Sequence, residues 1–253
     1  KNYLYSVPFE WYEKYGVRRY GAHGISHRYV ARQAASLMNK PLKELKLITC
    51  HLGAGSSLCA VKDGKSFDTT MGFTPLTGVT MATRSGDVDV ELVTYMMKKL
   101  NITDPEEMIS ILTRHSGLLG ISGISSDMRD VIAAKDAGNK RAQIAVTLFV
   151  KNIVRYIGQY YAEMKGLDGI VFTAGIGENS DVIRKLVCDE LEFMGVKLDD
   201  TLNSKGEEGF ITKPDSKIAA LLVPTDEELM ISRDIEVIKL QEQKEISSKK
   251  TLL

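Results

Sequence analysis

Two glycine-rich bends, HLGAGSS at residues 51–57 and TAGIGENS at residues 173–180, each close a short apolar run, and a polar helix-like start follows the second. Glycines at a strand end let backbone N–H groups approach an anion closely, and a helix N-terminus adds the positive end of a dipole. Either bend alone is compatible with a plain tight turn. Two of them in separate parts of one α/β unit read as a clamp for nucleotide phosphates.

The segments around the bends predict the framework. Apolar runs at 45–50 and 57–61, with the tight turn Asp63-Gly64 beyond, predict three consecutive antiparallel strands. A helix is expected over Ser26–Met38, and a loop rich in Gly, Thr and Pro over 71–86. DVDVELVTYMMKKL and DPEEMISILTRH each open with an Asp able to cap, and SSDMRDVIAAKDAG reads as a helix ending at Gly138. A long, mostly apolar helix follows from Lys140, stopped by Gly166, whose pattern suits burial against a sheet. The strand GIVFTA, a helix over 179–195, the strand KIAALLV and a helix opened by TDEELM complete the series, with a charged tail over 241–253 expected to fray. Meandering strands followed by alternating helices and strands form an α/β arrangement with a mixed sheet flanked by helices.

Composition removes several function classes. Lysine plus arginine (33) balances aspartate plus glutamate (33), so no overall field favours nucleic acid or a membrane surface. No apolar run reaches the roughly 20 residues that span a bilayer, and no secretory pattern opens the chain. Cys50, Cys59 and Cys188 form no CxxC pair and read as buried free thiols of a reducing cytoplasm. The start KNYLYSVPFEWYEKYG lacks a methionine and reads as the middle of a domain.

Which nucleotide protein this is depends on the remaining motifs. A dinucleotide turn needs Gly or Ala where this chain has Ser180, and the acidic residue about 20 positions on is absent, which argues against a Rossmann site. No GxxxxGK[ST] occurs. In RRYGAHGISH, glycines flank His23 and remove side chains that would pack it, so His23 is read as functional and His27 as structural. Arg84 precedes a helix, where its planar fork suits phosphoryl oxyanions, the alternative being a surface pair with Asp87. Asp127 and Arg129 suit a ribose and a base, or simply a solvated helix start. Glu227 and Glu228 suit a helix dipole or a magnesium ion. His115 reads as a solvated or capping residue.

Taken together, RRYGAHGISH, HLGAGSS, TPLTGVTMATRSGD, SGLLGISGISSDMRD, FTAGIGENS and PTDEEL resemble, in order and spacing from about residue 3 to residue 240, the acetate kinase family of the sugar-kinase/Hsp70/actin superfamily. The resemblance implies an actin-like, ribonuclease-H-like ATPase fold and reversible transfer of the ATP γ-phosphoryl group to acetate, giving acetyl phosphate and ADP, with Mg²⁺ or Mn²⁺. It implies that His23 and Arg84, as positive groups, stabilise the transferring group. His51, Leu52, Gly53, Ala54 and Gly55 would form the phosphate loop, and Asp127, Met128 and Arg129 the adenosine segment. Gly175, Ile176, Gly177, Glu178 and Asn179 would form the second nucleotide loop, with Glu227 the acid associated with magnesium. A cytoplasmic homodimer, paired through this domain, is also implied.

Two residues depart from the family pattern, Ala22 in place of Phe and Ile25 in place of Thr, which leaves propionate open as the substrate; a non-catalytic nucleotide-binding or dimerisation module on the same fold is the other alternative. The family's N-terminal domain, with its metal-binding Asn, carboxylate-binding Arg and catalytic Asp, has no counterpart here. Residues 1–22 are therefore expected to be a remnant of that domain, 23–226 the C-terminal nucleotide-binding domain, and 227–253 a closing helix and tail. The chain alone is expected to bind ATP or ADP and to turn over acetate poorly.

Overall fold

A computed structural model describes residues 1–251, with side chains described to Gln241. A six-stranded mixed sheet runs in the order β3-β2-β1-β4-β6-β5, from β1 (Leu47–Leu52), β2 (Ser56–Lys62), β3 (Lys65–Thr69), β4 (Gly169–Thr173), β5 (Gly209–Phe210) and β6 (Ala219–Leu222). The first three form the expected antiparallel meander. Asp63 and Gly64 turn it with φ of 54° and 74°, the left-handed pair that matches strand twist. β4 and β6 then join β1 in parallel, which requires the helical crossovers lying between them in sequence.

Around the sheet lie α1 (Phe9–Tyr15), α2 (Gly24–Leu37), α3 (Val90–Leu100), α4 (Pro105–Arg114), α5 (Gly117–Ser122), α6 (Met128–Asp136), α7 (Lys140–Met164), α8 (Ala174–Asn179), α9 (Asp181–Asp189), α10 (Asp200–Lys205) and α11 (Glu227–Thr251). Strand alternation divides the core in two. Ile48, Cys50, Leu52, Leu58 and Ala60 face Phe149, Ile153 and Ile157 of the long apolar α7. Leu47, Cys59, Val61, Val171 and Leu221 face Val30, Ala31 and Ala34 of α2. Both sheet faces are thus covered, as parallel strands demand. Cys50, Cys59 and Cys188 are buried and free.

Several boundaries differ from the sequence reading. The helix expected at Ser26 begins at Gly24, so His23 becomes its N-cap. Asp89, not Asp87, caps α3 by accepting from the N–H of Glu91. The helix expected over 179–195 is broken into α8 and α9 at Ser180, whose hydroxyl oxygen accepts from the N–H of Ile183 and restarts the helix. The short α5 and β5 had no sequence signal strong enough to predict them. α11 continues through the segment expected as a frayed tail; the side chains from 242 onward, and Leu252 and Leu253 altogether, lie outside the described residues. Among the described residues, no helix is long and apolar enough to cross a membrane.

Candidate functional site

The strand register builds the site. Thr49 and His51 alternate with core residues on β1, so both point toward α2, and His51 pairs with Ser57 across the hairpin. From α2 come His23 at the N-cap and His27 one turn later. His23 adopts φ 59°, a conformation that L residues seldom hold. It brings the imidazole flat onto His51, with ring centroids 3.9 Å apart and planes 15° apart. Gly55 completes the corner, because a Cβ there would lie 3.2 Å from Arg84 Nη1 and 3.5 Å from His23 Nε2. The missing Cβ leaves the two side chains room to close over the loop at that spacing.

Arg84 is not tied to Asp87. Asp87 instead receives the Gly78 N–H at 2.8 Å, the Arg155 guanidinium and the Tyr156 hydroxyl. The Arg84 guanidinium touches the Pro75 carbonyl and the Met81 sulfur, and among the described residues no carboxylate lies within ion-pair distance of it. Its loop is held by the start of α5, where Leu118 and Leu119 donate to the carbonyls of Met81 and Ala82 at 2.9 and 3.0 Å. Gly117, with φ 60°, allows that approach, since a Cβ would fall 2.3 Å from the Met81 carbonyl oxygen.

The two glycine bends meet. A Cβ on Gly53 would lie 3.7 Å from the methyl of Ala174, and both bends open on one cleft of about 830 Å³. Gly53 and Ala54 line one side, Gly175, Ile176 and Asn179 another, and Asp127, Met128 and Arg129 a third. Asp127 caps α6 by accepting from the Arg129 N–H at 2.9 Å, and the Arg129 side chain folds back onto the same carboxylate. That pairing holds the Asp127 carboxyl down at about 2.

Some expected contributors sit elsewhere. Leu52 is buried in the core, so only its backbone could serve a ligand. Gly177 packs on the β1 carbonyls, where its missing Cβ would meet Cys50 O at 3.6 Å, and does not line the cleft. The left-handed turn after β4 is made by Ala174, with φ 64°, rather than by either glycine. Glu178 also turns inward: one carboxylate oxygen accepts from the N–H groups of Ala174 (2.7 Å) and Thr225 (3.1 Å) and from the Thr173 hydroxyl (3.3 Å). Glu227 is half-buried in the first turn of α11. Among the described residues, no three His, Cys, Asp or Glu side chains gather as a metal site, and Glu227 does not line the cleft. His115 is the exposed C-cap of α4.

Arg184 was missed by sequence reasoning altogether. It is 1% exposed and donates to the carbonyls of Gly177 and Glu178 and to the side chain and carbonyl of Asn203, at 2.7–2.9 Å. It therefore satisfies the open C-terminal end of α8 and fixes the second bend.

Electrostatics corrects one expectation. His23 was expected as a positive group, but burial and then the charge of Arg84 push it below its ordinary value of 6.5. Burial, then His23, lowers His51 to about 4. Without an anion both imidazoles are neutral at neutral pH, and Arg84 carries the positive charge.

The acetokinase family model matches residues 1–233. An acetate kinase of Limosilactobacillus fermentum is 57% identical over 241 residues, which is 95% of this chain and 60% of that protein. The crystal structure of Porphyromonas gingivalis acetate kinase superposes with a TM-score of 0.90 at 42% identity, over 93% of this chain and 59% of that one. A propionate kinase from Francisella tularensis subsp. tularensis follows with a TM-score of 0.85 at 40% identity, over 90% of this chain and 58% of that one. The chain thus spans about three fifths of the length of the curated relatives it matches. The expected actin-like mixed sheet is the fold these neighbours share. With both glycine bends and residues 127–129 lining one cleft and a family match covering residues 1–233, the chain belongs to the acetokinase family.

Proposed function

We propose that this chain supplies the nucleotide-binding and phosphoryl-stabilising residues for reversible transfer of the ATP γ-phosphoryl group to acetate, giving acetyl phosphate and ADP. The observation that carries the reading is the single cleft lined by both glycine bends and by 127–129, with His23 and Arg84 closing over the adjacent Gly55. Asp127 to Arg129 would take the adenosine, Gly53–Gly55 and Gly175–Asn179 the phosphates. Phosphoryl transfer asks for position and charge neutralisation more than for covalent chemistry. Arg84 supplies fixed charge, and His23 becomes a second cation when an approaching polyanion raises its proton affinity. Magnesium, or manganese, would neutralise phosphate charge, with Glu227 as its protein-side carboxylate. Residues 1–22, 23–226 and 227–253 form the leading segment, nucleotide-binding domain and closing helix of this reading, and the cytoplasm is its natural compartment.

Propionate is the second reading, supported by the likeness to a propionate kinase and by Ala22, smaller than the phenylalanine expected from the family pattern. Pairing of two copies is supported by α3, which buries none of its residues and leaves Val90, Leu92 and Tyr95 exposed.

Calorimetric titration with ADP, followed by coupled assays with acetate and with propionate, tests the reading on this chain and on a chain of the relatives' full length. ADP is expected to bind both. No heat with ADP, or full-length turnover that neither acid stimulates, would overturn it.

A further inference from the structure

Behind the phosphate bend lies a chain of buried hydroxyl groups and imidazoles that nucleotide contact alone does not require. We propose that these hydroxyls hold the two stacked imidazoles in opposite tautomers, His51 with its proton on Nε2 and His23 with its proton on Nδ1. Ser57 and Thr49 are then positioning residues for His23, and Ser26 and Thr225 for His51.

The polarity follows from counting protons, since each hydroxyl donates once and each neutral imidazole has one donor and one acceptor. Thr49 Oγ1 donates to the Cys59 carbonyl at 3.4 Å. We assign its 2.7 Å contact with His27 Nδ1 the complementary sense, the imidazole N–H donating and the hydroxyl oxygen accepting. His27 is neutral, because burial lowers it from 6.5 to about 3, so its Nε2 is bare and takes the Ser57 proton at 2.8 Å. The Ser57 oxygen is left to accept from His23 Nδ1–H at 2.9 Å. On the other side, the Thr225 hydroxyl donates to Ser26 Oγ at 2.8 Å. Ser26 spends its own proton on His51 Nδ1, also at 2.8 Å, which leaves the His51 proton on Nε2.

Both Nε2 atoms face the glycine bend, His51 beside Gly53 and His23 beside Gly55. One imidazole thus offers a standing N–H donor and the other a bare nitrogen that donates only after it takes a proton. Resting on the kinase reading, this sorts the two rings: His51 holds a phosphate oxygen in any protonation state, and His23 responds to arriving charge. An imidazole in water favours the proton on Nε2, so His23 needs the Ser57 oxygen to hold the less favoured form.

Long-range ¹H–¹⁵N spectra of the chain at neutral pH, without nucleotide, read each tautomer directly. With four histidines, His→Gln variants assign the signals. His23 and His27 are expected as Nδ1–H and His51 as Nε2–H. Thr49→Val keeps the shape and removes the acceptor for His27. It is expected to reverse His27 and, through Ser57, His23, while His51 stays unchanged. Ser57→Ala is expected to return His23 to Nε2–H. His23 found as Nε2–H in the unsubstituted chain overturns the proposal, as does an unchanged His23 in folded Thr49→Val and Ser57→Ala. Should neither variant fold, the unsubstituted spectrum decides alone. No nucleotide is present, so this result and ADP binding succeed or fail separately.

Discussion

Glu178, on the turn after β4, accepts the backbone N–H of Thr225 at 3.1 Å across 47 residues of sequence. The same oxygen takes the Ala174 N–H at 2.7 Å, so one carboxylate ties the second glycine bend to the segment that leads into α11. Glu178→Ala leaves both N–H groups without their partner and is expected to cost about 2–4 kcal/mol. Glu178→Gln keeps an acceptor oxygen and should cost about 1 kcal/mol. Denaturant midpoints check both, and equal losses would mean that charge, not the acceptor, matters.

Arg184 is the deeper case. Its guanidinium is enclosed and spans four acceptors, a geometry that lysine cannot reproduce. Arg184→Lys and Arg184→Met are each expected to destabilise the fold by about 3–5 kcal/mol, because buried carbonyls lose their donors. Urea unfolding measures the loss, and a cost near zero for lysine would contradict the geometry.

Arg84→Ala separates chemistry from folding. The side chain carries no ion pair among the described residues, so stability should change by no more than about 0.5 kcal/mol. Under the kinase reading, turnover of a full-length chain is expected to fall roughly 10²–10³-fold, with ADP affinity little altered. Unchanged turnover would favour a non-catalytic nucleotide module.

Acid should unfold this protein earlier than carboxylates alone would. His27 and His51 sit at about 3 and about 4 in the fold against 6.5 when free. A histidine depressed by folding binds its proton in the unfolded chain first. Their stabilisation is therefore complete above about pH 6.5 and is lost as pH falls toward 4 and below. At about pH 5 each histidine should already cost about 2 kcal/mol. Thermal unfolding followed from neutral pH downward checks this, and a midpoint constant to about pH 5 would count against two buried neutral imidazoles.

Phosphate binding should carry the opposite signature at His23. Burial and Arg84 depress it in the free protein, and a polyanion raises it, so binding takes up a proton. Inorganic pyrophosphate is expected to bind more tightly as pH falls from 8 to 6, and calorimetry in buffers of different ionisation enthalpy would count the protons taken up.

Local chemistry was readable from the residues themselves. Asp63-Gly64 announced the hairpin because both residues tolerate left-handed backbone, and α7 announced itself through a long apolar pattern ending at Gly166. Asp104, Asp127 and Asn139 cap their helices through their own side chains, a signal contained in a few adjacent residues. Glycine content, by contrast, misled at the second bend. Gly175 and Gly177 looked like the turn, yet Ala174 makes it, because the carboxylate of Glu178 holds its N–H in place.

From the order of residues alone came the mixed α/β plan, the family resemblance and the candidate residues for a nucleotide site, since strand period, caps and motif spacing are properties of neighbours along the chain. Only the folded molecule decided which of those residues share a cleft, that Glu178 and Arg184 brace it from behind, and that His23 and His51 are neutral. Each of these depends on partners far away in sequence. Burial and hydrogen-bond direction are set by what the other segments bring into contact, and no local pattern encodes that.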